Sequence, residues 1–107
     1  MTKITYLPEF KKEFKRLSKK FHSLKVDMEE LVKQLIVKPD LGTPLGGNVF
    51  KIRWQVKSKG KGKSGGVRII TYYVSQGGKL YLLSIYDKSE QTSITSNQIR
   101  QLIESIL

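Results

Sequence analysis

The hydrophobic period changes once along this chain, and the change dictates its class of fold. Up to Lys38 the apolar side chains recur at intervals of three and four: Phe10, Phe14, Leu17 and Phe21, then Leu24, Met28, Leu31, Val32, Leu35 and Ile36. That spacing keeps one face of each helix apolar, and Lys11, Lys12, Lys15, Arg16, Lys19 and Lys20 fall on the remaining faces of the first. From Val49 the interval becomes two. Phe50, Ile52, Trp54 and Val56 alternate with Lys51, Arg53, Gln55 and Lys57, the pattern of a strand with one apolar and one cationic face. A helical layer must therefore cover a sheet.

Turn and capping residues complete the order. A β-branched and aromatic run from Thr2 to Leu7 stops at Pro8, which suits the first turn of a helix. A second helix is expected from about Ser23 to Lys38, ended by Pro39, with His22 at the junction. Leu41 to Asn48 reads as loop, and Lys57 to Gly66, all Lys, Gly and Ser, as a flexible basic loop. Strands follow at Val67–Ser75 and Lys79–Tyr86 around a Gln76-Gly77-Gly78 turn. Thr95 and Gln98 have the spacing of a capping box before a last helix carrying Ile99, Leu102, Ile103 and Ile106. The expected architecture is α+β in the order β-α-α-β-β-β-α, a small antiparallel sheet with helices packed on one face and the other face free.

With 107 residues there is room for one domain, residues 1–107. The absence of Cys excludes disulfide scaffolds and thiol nucleophiles, and a single His excludes a His pair as catalyst. No apolar run approaches a membrane span and no apolar leader opens the chain, so a cytoplasmic protein without membrane contact is expected. Charge supplies the functional clue. Between Leu41 and Tyr86 there is no acidic residue, and eight of the eleven net positive charges lie there, at Lys51, Arg53, Lys57, Lys59, Lys61, Lys63, Arg68 and Lys79. Such a field attracts polyanions, nucleic acid above all. Strand alternation puts Lys51 and Arg53 on the free face, where a neighbouring strand can bring Arg68 beside them.

These residues carry a resemblance. Leu41-Gly42, then Lys51-Ile52-Arg53, then Ser58-Lys-Gly-Lys-Gly-Lys-Ser-Gly-Gly-Val-Arg-Ile-Ile-Thr-Tyr-Tyr73, then Tyr81-Leu-Leu-Ser-Ile-Tyr-Asp-Lys88 and Asn97-Gln98 together resemble toxins of the RelE/ParE superfamily, in particular the HigB-type branch. The resemblance implies an mRNA interferase that acts in the ribosomal A site, needs no metal or other cofactor, and is restrained by a cognate antitoxin, a helix-turn-helix protein of the HigA kind. In such cleavage the RNA's own 2′-OH attacks phosphorus, so the protein must supply a base, cations for the phosphorane and an acid for the leaving oxygen. Lysine is a poor base at its ordinary pKa near 10.4, which neighbouring cations depress.

Carried over by position, Lys51 and Arg53 match the basic pair of the second strand of the motif, Arg68 the arginine at the scissile phosphate, and Lys88 the basic residue after the last strand. Lys57, Lys59, Lys61 and Lys63 are expected to bind RNA, with Tyr72 and Tyr86 on the same face. Ile94 stands where cleaving members have a tyrosine, leaving Tyr86, Tyr72 or Tyr73 to replace it, Tyr73 on the opposite parity. Two other classes fit the same chain: a ParE-like toxin that poisons gyrase by binding protein, and a non-catalytic RNA-binding module. The stacking aromatics of the latter are weak here.

Overall fold

The computed structural model describes residues 2–60, 62 and 65–107. Strand β1 (Lys3–Tyr6) gives way at Leu7 to α1 (Pro8–Lys20), where Pro8 occupies the first turn and loses no backbone bond by lacking an N–H. Helix α2 (Leu24–Val37) returns and ends before Pro39. Then come β2 (Thr43–Gly46), β3 (Val49–Trp54), a short 3-10 turn (Lys57–Lys59), β4 (Val67–Val74), β5 (Lys79–Asp87) and α3 (Ser96–Glu104). The five strands form one sheet in the order β1-β5-β4-β3-β2.

This is the expected α+β order, with three differences in detail. The sheet is mixed: β1 runs parallel to β5, because the α1–α2 hairpin and the β3–β4 pair intervene before the chain reaches it, while the other pairs are antiparallel. Thr43–Gly46, expected as loop, is an exposed edge strand on β3; its proline and glycine are tolerated because its outer edge has no partner strand. The β2–β3 connection is the two-residue turn Gly47-Asn48, both with left-handed φ (60° and 65°), as the twist of a tight hairpin demands.

The third difference is the placement of α3. Helices α1 and α2 cover one face of the sheet, packing Phe10, Leu17, Leu24, Met28, Leu31 and Leu35 onto Ile52, Val56, Val67, Ile69, Leu80, Leu82 and Ile85. Helix α3 lies on the other face. Its Ile99, Leu102 and Ile103, with Ile94 and Ile106 beside it, pack with Leu7, Val49, Ile70, Leu83 and Tyr86. Strands β4 and β5 are apolar on both faces, which is the condition for a sheet covered on both sides. The face expected to be free is thus open only at its margin, beyond α3. Thr95 caps α3 as its spacing predicted: its hydroxyl accepts from the Gln98 N–H, and the Gln98 side chain accepts from the Thr95 N–H. Among the described residues no helix is long and apolar enough to cross a membrane.

Candidate functional site

Cross-strand register assembles the cations. Arg53, Arg68 and Tyr86 lie directly opposite one another on β3, β4 and β5, and Lys51, Ile70 and Ser84 form the next row on the same face. Tyr86 belongs to this row because of a bulge. Between Ile70 and Thr71 the register with β5 slips, so Leu83 and Ser84 both point to the α3 side, and Tyr86 follows them. Unbroken alternation from Leu82, which packs under α1 and α2, would have turned Tyr86 into the other core.

The row is electrostatically tense. Arg68 is only 4 % exposed and donates to the Val67 carbonyl at 3.3 Å. Burial lowers its pKa, and the like charge of Arg53 lowers it further, while Tyr86 opposes both. Tyr86 is itself buried, which raises its hydroxyl pKa against the lowering effect of Arg68. At neutral pH this phenol keeps its proton, which is then available for donation. Two like charges held side by side with one of them buried is not what stability alone would select. An anion placed between them would relieve the repulsion.

Beside the row, a cleft of about 320 Å³ runs between the β2–β3 hairpin and the start of α3, lined by Val49, Lys51, Tyr86, Ser93, Ile94 and Ile99 among others. Ile94, at the position of the family's tyrosine, is therefore in the cleft wall. Lys88 lies one residue past β5 at the same end of the sheet, where its N–H donates to the Gly66 carbonyl at 3.3 Å. Tyr72 shares the face but sits farther along it, opposite Val49, with its ring stacked on Tyr81 at 6.1 Å; it packs in the α3 core, away from Arg68. A larger groove of about 590 Å³ lies between α1 and α2, with Tyr6, Phe10, Phe14, Met28 and Val32 in its lining. Lys11, Lys25, Glu29 and Lys33 complete its lining.

The lysine loop departs from expectation at its first residues. Lys57 to Lys59 are packed: the Lys57 N–H donates to Asp27 Oδ2 at 3.0 Å, the Ser58 N–H to Ser23 Oγ at 2.9 Å, and Lys59 Nζ to Asp87 Oδ1 at 2.7 Å. Lys57 and Lys59 are thereby held on the helix side of the sheet, apart from Arg53 and Arg68, because two buried acids, Asp27 and Asp87, claim this segment. Lys61 and Lys63 lie outside the described residues. The return leg is tight: a Cβ at Gly66 would fall 2.0 Å from the Trp54 carbonyl oxygen.

Asp27 and Asp87 are the residues that sequence reasoning overlooked. The signal for Asp87 was an acid closing strand β5 after a stretch from Leu41 with none. Burial alone would raise its pKa, but hydrogen bonds from Lys59, from the N–H and hydroxyl of Ser89, and from Lys20 outweigh this and hold it well below the carboxylate range. On the far side of the turn Glu90 is lowered by Arg16, its two guanidinium bonds measuring 2.7 and 3.1 Å, and by Lys20. Two of the six bases on α1 are thus committed to the 87–90 turn. Among the described residues no group of three or more His, Cys, Asp or Glu converges as metal ligands.

Comparison with known proteins agrees with this fold. The chain is similar to two structures of Escherichia coli RelE: a double arginine-to-alanine variant in the free state (15% identity over 97% of this chain and 96% of that one, TM-score 0.63), and the isolated toxin (16% identity over 100% of both, TM-score 0.51). At that identity the likeness concerns the fold. The sequence profile of the family described as the RelE toxin of the RelE / RelB toxin-antitoxin system matches residues 9–105. The chain belongs to the RelE toxin family, whose activity is endoribonucleolytic and whose members are paired with an antitoxin.

Proposed function

We propose that this protein is a ribosome-dependent mRNA endonuclease, the toxin of a type II toxin–antitoxin pair, which cuts the message in the ribosomal A site and so arrests translation. The observation that carries the reading is the row Arg53–Arg68–Tyr86 with Lys51 one step away and a cleft beside it. A scissile phosphate over Arg68 would have two guanidinium groups for its non-bridging oxygens, and a protonated phenol close by. The 2′-oxygen attacks phosphorus as its proton leaves to a base; the bond to the 5′-oxygen breaks as that oxygen takes a proton. The products are a 2′,3′-cyclic phosphate and a 5′-hydroxyl. Lys51 and Lys88, at either side of the row, carry the proton transfers, and the preorganised cations stabilise the phosphorane. Every step uses groups of the chain and the RNA, so no metal is called for.

The Ser-Lys-Gly-Lys-Gly-Lys run from Ser58 to Lys63 favours the HigB-type branch, with a helix-turn-helix, HigA-like antitoxin and a cytoplasmic site of action. Mapping 5′ ends by primer extension on mRNA-programmed ribosomes tests the activity. The expected result is cleavage at the A-site codon that persists in EDTA, with free mRNA left intact. Ribosome binding without cleavage would place the chain among non-catalytic RNA-binding modules. Inhibition of gyrase supercoiling in place of cleavage would favour the ParE-like reading.

A further inference from the structure

The carboxylate of Asp87 gathers four segments at one end of the sheet. Its side chain is fully buried, with Oδ1 accepting from Lys59 Nζ at 2.7 Å and from the Ser89 N–H and hydroxyl at 3.1 and 2.8 Å, and Oδ2 accepting from Lys20 Nζ at 3.1 Å. Both ammonium groups also lie over the Phe21 ring, Lys20 at 5.2 Å and Lys59 at 5.0 Å from its centroid. Thus the end of α1, the turn into α2, the 57–59 turn and the turn after β5 meet on one buried charge. Replacing a buried ion cluster by well-packed neutral groups is often neutral or stabilising, so stability alone does not account for keeping it. The chain neighbours of Asp87 suggest what it is kept for. Tyr86 is in the cationic row, and Lys88 follows, its N–H bonded to the carbonyl of Gly66, the residue from which the loop enters β4.

We propose that Asp87 is a positioning residue: by clamping Lys59 and Lys20 on the helix side of the sheet it fixes the turn that places Lys88 at the end of the Arg53–Arg68–Tyr86 row on the opposite side. This rests on the reading of Lys88 as part of the cleavage site. Asp87 touches no substrate, so its loss should act on the chemical step through geometry. Misplacement of a catalytic group by about 1 Å is enough for a loss approaching a hundredfold.

The test compares Asp87→Asn, Lys59→Met and Lys59→Arg with the wild type in ribosome-dependent cleavage, alongside hydrogen exchange at the Lys88 and Ile69 amides. Asp87→Asn and Lys59→Met should each lower kcat by about tenfold or more with KM for programmed ribosomes unchanged. Lys59→Arg, which keeps the ion pair, should retain wild-type kcat. The Lys88 amide should exchange faster in the first two variants while Ile69 stays protected. Wild-type kcat in Asp87→Asn and Lys59→Met would overturn the proposal. So would unchanged Lys88 exchange, or a loss of protection shared equally by Ile69, which marks general unfolding. If the wild type itself cleaves nothing on ribosomes, the functional reading fails, and the exchange measurements still decide whether the Asp87 clamp fixes Lys88.

Discussion

In the proposed mechanism Arg68 is the cation set nearest the scissile phosphate. It is nearly buried, its pKa is lowered first by that burial and then by Arg53, and its strand neighbours are fixed by two ladders of register. A guanidinium so held is already oriented before substrate arrives. Arg68→Ala should therefore lower the cleavage rate by about a hundredfold to a thousandfold, the usual effect of removing one preorganised donor to a developing oxyanion. Arg68→Lys keeps the charge and loses the planar fork, so it should restore only part of the rate. Single-turnover cleavage on programmed ribosomes reads both, and full growth arrest by a well-expressed Arg68→Ala protein would remove Arg68 from the mechanism. Arg53 makes the complementary case. It is exposed and sits opposite a buried like charge. Arg53→Ala should weaken cleavage yet leave stability within about 0.5 kcal/mol or slightly improved, as expected where an activity is maintained against local repulsion. A clear fall in Tm would show that Arg53 has a packing role instead.

Among the elements, the turn after β5 and the loop before β4 depend on each other. Asp87 titrates well below its unfolded value, near 3.9 for an aspartate, so its bonds contribute stability above that pH and lose it as pH falls below about 4 toward the folded pKa. The Tm advantage of the wild type over Asp87→Asn should accordingly be full at neutral pH and shrink on acidification through that range; a difference independent of pH would deny the carboxylate its charge-dependent role. At the other end of the same loop, Gly66→Ala drives a methyl into the Trp54 carbonyl and should destabilise by about 1–3 kcal/mol, measured by denaturant unfolding. The glycine had no mark in the sequence, and the acid showed only as the first after a long acid-free stretch. Helices α1 and α2, strands β3 to β5 and the Arg53–Arg68 pairing were legible because period and parity are local properties, fixed by which residues share a face. The placement of α3 was readable in principle, since Leu82-Leu83-Ser84-Ile85-Tyr86 is a run and not an alternation, as a doubly covered strand requires. The bulge at Leu83 and Ser84, which aims Tyr86, has no sequence mark of its own. The commitment of the Lys59 side chain to Asp87, and of the Lys57 backbone to Asp27, was hidden for another reason: such partners are set by tertiary approach, and composition alone made the loop look uniformly free.

Viewed whole, the molecule divides its cations between the two sides of the sheet. The acid-free stretch from Leu41 to Tyr86 supplies β3, β4 and the cleft, whereas the acids Glu13, Asp87 and Glu90 are already bonded to Arg16, Lys20 and Lys59. These ion pairs lie on the helix side, and the row that holds Lys51, Arg53 and Arg68 belongs to a stretch of sequence with no acid. Binding to a polyanion by such a face releases counterions, so affinity for ribosomes and RNA should fall steeply and log-linearly with salt. On the same face the described helix, α3, has its apolar stripe packed against the sheet and is not free to enter a DNA groove. Sequence-specific recognition of an operator should consequently belong to the antitoxin. In a mobility-shift titration the free toxin should bind promoter DNA only nonspecifically, losing it to competitor and to salt, while the toxin–antitoxin complex binds specifically. In parallel, ribosome sedimentation with the free toxin should weaken sharply as salt rises, and less so for a Lys51→Ala, Arg53→Ala double variant, which has fewer phosphate contacts to lose. Specific operator binding by the toxin alone, or ribosome association indifferent to salt, would show that the cationic face does not do the work assigned to it.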